Sequence, residues 1–251
     1  GRYTPVYNPS TGEVQAEIPS CTPEEVEYAI ACASRAFPVW RDTPVMKRTQ
    51  ILYRFRELLN QHFDELTELC AREHGKNWAE SAGDIAKVKE PVELAVGTPS
   101  LIMGWMAPLC IATGNTLVIK AASKTPLTSL RCAELWQEAG LPDGVLNIVT
   151  CTRKESELFL THPDVKGVCF VGTTGVGRHI YGVAASHGKR VQAQTEAKNH
   201  ALVLEDANLE RTARGIINSA FGCAGERCMA LPVVVAQESI ADRLVELICR
   251  Y

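Results

Sequence analysis

Cys228 lies in a segment whose residue types suit nucleophilic chemistry. Residues 221–230 read FGCAGERCMA, so small side chains near the thiol leave room for an approaching substrate. Arg227 directly precedes the cysteine, and a nearby cation favours the thiolate, which is the nucleophilic form. A cysteine can also be a small, buried core residue, so the residue types alone leave both interpretations of Cys228 open.

A glycine-rich turn offers a second kind of chemistry. Residues 165–171 read as a strand, the next six residues read GTTGVG, and a helical pattern follows. Gly172 and Gly177 would let the backbone approach a ligand, while Thr173 and Thr174 add hydroxyl donors near a helix N-terminus that can bind an anion. The spacing differs from the GxGxxG fingerprint, so a phosphate site and an ordinary turn both remain possible.

Lys120 ends a predicted strand over residues 116–120. A lysine at the carboxyl end of a parallel strand can reach the ribose or phosphate of a cofactor, because ligands of α/β sheets bind at that edge. The alternative is a solvated lysine with no ligand.

Composition and charge narrow the function classes. The chain has 251 residues, 46% of them hydrophobic, and a net charge of −3, so it can form a core and has no basic excess for a nucleic acid. No apolar run has the length of a membrane span. The ten cysteines are scattered without a CxxC pair, which argues against a metal site. We expect a reducing cytoplasm and, because the first residues lack an apolar signal segment, a cytoplasmic protein.

The first third of the chain predicts a strand-like opening, through Ser20, and then helices. The opening carries turns at residues 8–9 and 11–12, and Thr22 with Glu25 forms a capping box for the first helix. A helix that ends at Gly75 is predicted to carry one apolar face, formed by Leu52, Phe55, Leu59, Phe63, Leu66 and Cys70. A third helical stretch, over residues 80–103, is predicted to break or kink near Pro91.

The remainder alternates between strands and helices. Strands are predicted at residues 116–120, 145–149, 165–171, 201–204 and 231–236, with helices at 127–138, 155–160, 176–186, 209–221 and 240–249. This alternation is typical of βαβ units. The predicted fold class is α/β, with a Rossmann-like parallel sheet and helices on both faces.

Several motifs in a fixed order resemble the aldehyde dehydrogenase superfamily over nearly the whole chain. They are YNPSTGE at 7–13, ATGNTLVIK at 112–120, EAGLPDGVLN at 138–147, FVGTT at 170–174, AKNH at 197–200 and the segment around Cys228. The run HGKRVQA at 187–193, taken with AKNH and ERCMA, looks most like the methylmalonate-semialdehyde dehydrogenase branch, which transfers its acyl group to coenzyme A.

The resemblance implies a reaction and a set of site residues. The residue matching Cys228 attacks the aldehyde carbon, and the thiohemiacetal passes a hydride to the nicotinamide of NAD or NADP, leaving a thioester. Lys120 matches the contact to the adenosine ribose, and Gly172, Thr173 and Gly177 lie in the motif near the cofactor phosphates. Residues 1–205 would then form N-terminal helices and a dinucleotide-binding domain, and residues 206–251 would begin the catalytic domain.

Gln194 is the first departure from the family pattern. Hydrolytic members carry a glutamate base four residues before the lysine that matches Lys198, and an amide cannot usefully take a proton in its place. The thioester would therefore be left for coenzyme A. Glu196, where the family usually has glycine, is an alternative base that would allow hydrolysis.

Two further departures concern the substrate and the cofactor. Arg227 matches one of two arginines that hold the substrate carboxylate in the acylating branch, but the second expected arginine falls near Lys87. Ser123 replaces a glutamate that faces the ribose 2′-hydroxyl in many NAD-dependent members, and Lys124 follows it. Without that carboxylate, nothing repels the 2′-phosphate of NADP, so both NAD and NADP remain possible cofactors.

The last departure is missing sequence. Between Gly104 and Trp105 the family carries several tens of residues, which include a Pro-Phe-Asn-Phe-Pro motif with an oxyanion-binding asparagine and strands used in oligomerisation. The chain also stops at Tyr251, so we expect an incomplete catalytic domain. Three interpretations follow: a coenzyme A-acylating semialdehyde dehydrogenase, a hydrolytic aldehyde dehydrogenase, or an inactive nucleotide-binding remnant or assembly partner. The complete protein would be a homodimer or homotetramer that acts on a small aldehyde.

Overall fold

The computed structural model describes residues 2–95, 102–225 and 227–251. Strands β1 (Tyr3–Tyr7) and β2 (Val14–Pro19) pair antiparallel. Five helices follow in the described chain: α1 (Pro23–Asp42), α2 (Val45–Gln61), α3 (Phe63–His74), α4 (Trp78–Ala95) and α5 (Ile102–Ala112).

The rest of the chain alternates between strands and helices, as the sequence predicts, except for two consecutive strands at 190–194 and 200–203. The elements are β3 (Leu117–Lys120), α6 (Leu127–Glu138), β4 (Leu146–Val149), α7 (Arg153–Thr161), β5 (Gly167–Val171), α8 (Thr174–Ser186), β6 (Arg190–Gln194), β7 (His200–Val203), α9 (Leu209–Phe221), β8 (Val233–Ala236) and α10 (Glu238–Arg250). A short 3-10 helix, Gly222–Gly225, follows α9.

The strands pair two by two. β3 pairs with β4 and β7 with β8, both in parallel, and β5 pairs with β6. In the first of these pairs Lys120 lies opposite Val149. The parallel pairs confirm the predicted α/β class, although the described strands form two-stranded sheets.

Two compact units make up the chain. The first comprises residues 1–171 and 178–193, and its largest core contains Phe55 stacked on Trp136 with ring centroids 3.8 Å apart. The second comprises residues 172–177 and 194–251, and its core packs Val203 of β7 with buried residues of α9 and α10: Ala213, Ile216, Leu244 and Leu247. The predicted division after residue 205 stays a prediction.

Several local predictions are confirmed. Thr22 and Glu25 form the capping box of α1, and Gly75 ends α3 with φ +80°, in the left-handed region that favours glycine. The predicted bounds of α6 and α9 agree with the structure.

Other local predictions are wrong. The long helix divides into α2 and α3 at His62, where φ −100° and ψ 18° leave the helical region. Periodicity could not show this, because Leu59 and Leu66 on either side are buried in the same core. α4 runs past Pro91 to Ala95, so the predicted break is wrong, while the alternative of a kink stays a prediction. The part of the predicted stretch at 96–101 lies outside the described residues.

Two short elements, and helix α5 beyond Met103, were not predicted. β6 alternates apolar Val191 and Ala193 with polar residues over only five positions, so its apolar signal is weak. The 3-10 helix before the Cys228 segment is only four residues long. None of the helices described is long and apolar enough to cross a membrane.

Candidate active site

Cys228 is exposed in a turn of the second unit. α9 ends at Phe221, and the 3-10 helix then carries the chain toward the turn at residues 228–229. The core-residue interpretation is therefore wrong for this cysteine, because its side chain faces solvent. That interpretation does fit Cys132 and Cys151, which are buried in the first unit.

Asn199 fixes the backbone of this turn. Its Nδ2 donates hydrogen bonds to the carbonyl oxygens of Cys228, at 2.8 Å, and of Ala230, at 2.9 Å. The backbone N–H of Ala230 donates to the carbonyl of Arg227 at 3.0 Å. One amide group therefore holds the nucleophile candidate on a defined backbone path. In the sequence, Asn199 stands out only as part of the AKNH motif, and nothing there predicts this contact.

Arg227 packs beside the 3-10 helix. Its Nε donates to Sγ of Cys223 at 3.1 Å. A Cβ built on Gly222 would lie 3.0 Å from Nη1 and 3.2 Å from Cζ of Arg227, so the missing side chain of Gly222 makes room for the guanidinium. Arg227 thus has a defined position in the unit that carries Cys228, and its contact with a substrate carboxylate stays a prediction.

Cys223 has a strained backbone. It is buried, and its φ of +51° makes it the one residue other than glycine with positive φ in the described part of the chain. For an L-residue this region costs roughly 1–2 kcal/mol, and such strain is common at functional sites. The sequence gives no signal for this conformation.

Glu196 contacts the start of α8. Its Oε2 accepts a hydrogen bond from the backbone N–H of Thr174, the first residue of that helix, at 3.0 Å. Hydrogen bonds from Thr174, through its side chain first and its backbone second, lower the pKa of the exposed Glu196 carboxylate. A lowered pKa makes a carboxylate a weaker base at neutral pH. The role of Glu196 as a base stays a prediction.

Gln194 ends β6 beside the glycine-rich turn. Its backbone carbonyl accepts a hydrogen bond from the N–H of Gly172 at 3.2 Å, and Gly177 donates to the carbonyl of Thr173 at 2.9 Å. The structure therefore brings together, in one unit, the position of the family base and the predicted phosphate-binding turn.

The other predicted site residues lie in the first unit. Lys120 is the last residue of β3, and its Nζ donates to the carbonyl of Ala121 at 3.1 Å. Ser123 and Lys124 are exposed in the loop that follows, and Lys87 is half-buried on α4. Their roles toward a cofactor or substrate stay predictions.

Burial separates the cysteines by reactivity. It raises the pKa of Cys110 and of Cys132 to about 12 and that of Cys151 to about 11, so these thiols stay protonated at neutral pH. The exposed cysteines of the described chain are Cys169, Cys228 and Cys249, and desolvation also raises the pKa of Cys169.

Comparison with known proteins tests the resemblance. The sequence model of the aldehyde dehydrogenase family matches residues 1–98 and 96–251. Malonate-semialdehyde dehydrogenase 2 of Geobacillus kaustophilus is 45% identical over 98% of this chain and 58% of its own length. The malonate-semialdehyde dehydrogenase of Lacticaseibacillus casei is 42% identical over 96% of this chain and 56% of its own.

Solved structures agree with the sequence relatives. Methylmalonate-semialdehyde dehydrogenase of Oceanimonas doudoroffii has a TM-score of 0.95 at 37% identity, over 99% of this chain and 59% of its own. A Sinorhizobium meliloti protein provisionally named methylmalonate-semialdehyde dehydrogenase, complexed with NAD, has a TM-score of 0.94 at 34% identity, over 100% of this chain and 58% of its own.

The chain spans about three fifths of the length of these relatives, 58% for the Geobacillus kaustophilus enzyme. The alignment with the Geobacillus kaustophilus enzyme has 282 positions, more than the 251 residues of this chain. The enzyme therefore has residues at positions where this chain has alignment gaps. The two family matches overlap at residues 96–98. This overlap lies a few residues before the position, between Gly104 and Trp105, where family residues are expected to be missing. Since the family match extends over the whole chain and relatives share more than 40% of its residues, the chain belongs to the aldehyde dehydrogenase family.

Proposed function

We propose that the chain takes part in the NAD(P)-dependent oxidation of a semialdehyde that bears a carboxylate, with Cys228 as the nucleophile and coenzyme A as the acyl acceptor. The observation that carries this proposal is the exposed Cys228 on a turn fixed by Asn199. The names of the relatives point to malonate semialdehyde or its methyl derivative as the substrate.

The proposed chemistry starts at the thiolate of Cys228. Its Sγ forms a bond to the aldehyde carbon, and the carbonyl oxygen carries the negative charge. Loss of the carbon-bound hydrogen as a hydride restores the carbonyl and leaves an acyl thioester on Cys228. The thiol of coenzyme A loses its proton to solvent, takes the acyl group as a thiolate and releases Cys228 as a thiolate.

Gln194 favours coenzyme A over water as the acceptor. At the position of the family base its amide cannot take a proton from water, so the thioester would be hydrolysed slowly. Glu196 would have to supply the base in a hydrolytic enzyme, but its carboxylate is bonded to Thr174 and its pKa is lowered. These two observations support the acylating reaction over the hydrolytic alternative.

The start of α8 suits a cofactor phosphate. A carboxylate oxygen already accepts the N–H of Thr174 there, so the donors at this helix start can bind an anion. We assign Gly172, Thr173 and Gly177 to the phosphates and Lys120 to the adenosine ribose. The nicotinamide, when bound, accepts the hydride.

The choice between NAD and NADP depends on the loop after β3. Ser123 and Lys124 are exposed there and bring no carboxylate of their own to repel a 2′-phosphate. We therefore expect both cofactors to bind.

Arg227 is the proposed partner of the substrate carboxylate. A planar guanidinium can pair with a carboxylate through two hydrogen bonds, and Gly222 and Cys223 hold Arg227 in the same unit as Cys228. Lys87 is the proposed second cation. The complete enzyme would work as a homodimer or homotetramer in the cytoplasm.

Product analysis tests the proposal. The chain is incubated with malonate semialdehyde and either NAD⁺ or NADP⁺, with and without coenzyme A, and C228A serves as the control. The proposal predicts an acyl-coenzyme A that depends on coenzyme A and on Cys228. A free carboxylic acid formed equally fast without coenzyme A would favour the hydrolytic alternative. Cofactor binding without any product would favour the nucleotide-binding remnant.

A further inference from the structure

The carboxylate of Glu196 occupies hydrogen-bond donors at the start of α8. Its Oε2 lies 3.0 Å from the backbone nitrogen of Thr174, and the two residues are 22 positions apart in the sequence. Glu196 therefore does not belong to the helix that it contacts. It reaches the helix start from the segment that follows β6.

These donors are few. The first four N–H groups of a helix have no partner within it, and together with the helix dipole they make the start of the helix an anion site. An ionised carboxylate on Thr174 uses one of these groups and places a negative charge beside the rest. A phosphate that approaches α8 meets both an occupied donor and a repelling charge.

The contact is replaceable, as a comparison with Glu73 shows. Glu73 also accepts backbone N–H groups at a helix start, those of Leu127 and Thr128 at 2.8 and 2.9 Å, but it is only 4% exposed. Moving Glu73 would leave the part-buried N–H donors of Leu127 and Thr128 without this partner. Glu196 is exposed, so its carboxylate can move into water at little cost in free energy. The N–H donors at the start of α8 can then bind another anion.

We propose that Glu196 sets the affinity for the cofactor, because its carboxylate must leave the start of α8 before the pyrophosphate of a dinucleotide binds there. This inference rests on the proposed function, which assigns Gly172, Thr173 and Gly177 to the cofactor phosphates. Glu196 is then an intramolecular competitor of the cofactor.

Calorimetric titration tests this competition. The parent chain, E196Q and E196G are titrated with NAD⁺, with NADP⁺ and with inorganic pyrophosphate. Both variants remove the charge, and both should bind each ligand about threefold to tenfold more tightly, in line with the interaction of one charge with a helix terminus. Far-UV circular dichroism and thermal melting check that the variants are folded.

E25Q is the matched control. Glu25 is an exposed carboxylate that accepts the N–H of Thr22 at 2.8 Å at the start of α1, and its pKa is lowered by that hydrogen bond and by Arg2. Its removal takes away the same charge from another helix start. The Kd of E25Q for all three ligands should equal that of the parent chain.

The outcomes separate this inference from the proposed function. If NAD⁺ binds the parent, E196Q and E196G equally well, the competition is refuted and the proposed function stands. If no dinucleotide binds but E196Q binds pyrophosphate more tightly than the parent, the competition stands and the proposed function fails. Weaker binding by both folded variants, or no binding of any ligand, would overturn the competition.

Discussion

Nδ2 of Asn199 lies 2.8 Å from the carbonyl oxygen of Cys228, and the same nitrogen donates to Ala230 at 2.9 Å. The nucleophile candidate is thus positioned through its backbone, and its side chain remains exposed. A thiol held in this way keeps its freedom to react while the path of its main chain stays fixed.

Removal of the Asn199 amide should impair the reaction. N199A loses both hydrogen bonds to the turn, and N199D replaces a donor with an acceptor that faces two carbonyl oxygens. We expect kcat to fall about 10-fold to 100-fold with little change in KM, because misplacement of a reacting group affects the chemical step. Steady-state kinetics checks this. N115A, which removes an exposed asparagine bonded to Thr113, is the control; an N199A variant as active as N115A would contradict the positioning role.

Addition of a methyl group at Gly222 should disturb Arg227. The new Cβ would meet the guanidinium at 3.0–3.2 Å, so the side chain must move. G222A should raise KM for malonate semialdehyde by about tenfold, the equivalent of about 1.4 kcal/mol, and leave KM for a neutral aldehyde such as propanal unchanged. G215A adds a methyl group to α9 where nothing lies within 4 Å and is the control. Equal effects on the two aldehydes would argue against Arg227 as the carboxylate partner.

The exposed cysteines should differ in their rates of alkylation. Cys228 is exposed on its turn, whereas burial raises the pKa of Cys169 and raises that of Cys132 to about 12. Timed treatment with iodoacetamide followed by peptide mapping should modify Cys228 first and Cys132 last. Cys249, which is also exposed, provides the internal reference. Modification of Cys249 before Cys228 would contradict the prediction.

Acid should weaken the contact between α3 and α6. Hydrogen bonds from Arg131, at 2.6 Å, and then from His62 hold the pKa of Glu65 below its usual 4.5. A carboxylate whose pKa is lowered by folding stabilises the protein above its unfolded pKa, and this stability is lost as the pH falls through the folded value. Below pH 4.5 the Tm of the parent should therefore fall more steeply with decreasing pH than the Tm of E65Q. E57Q on α2 is the control, and identical acid slopes for E65Q and the parent would refute the prediction.

Local signals predicted much of the secondary structure. Thr22 with Glu25 and Gly75 act within one or two turns of a helix, so the residues that determine these ends are adjacent in the sequence. The division at His62 escaped prediction because the apolar face continues through it into one core.

The contacts of the candidate site were harder to predict. The contact between Glu196 and Thr174 follows from the pairing of β5 with β6. β6 was not predicted, because it is short and mostly polar. Asn199 reaches Cys228 across 29 positions, and the positive φ of Cys223 lies within a 3-10 helix that the sequence did not predict. Residue types and the family resemblance proposed Cys228, Arg227 and Gln194 as site residues, but the partners of these residues depend on tertiary structure.

The central claim is a thioester on Cys228, and its most direct test is to trap it. The chain is treated with malonate semialdehyde and NAD⁺ without coenzyme A, quenched in acid and digested, and acyl groups are located by mass spectrometry. We predict an acyl group on Cys228, equal in amount to the NADH formed, that passes to coenzyme A when this is added before the quench. NADH without an acyl group on Cys228, an acyl group retained in C228A, or the absence of both NADH and adduct would contradict the account.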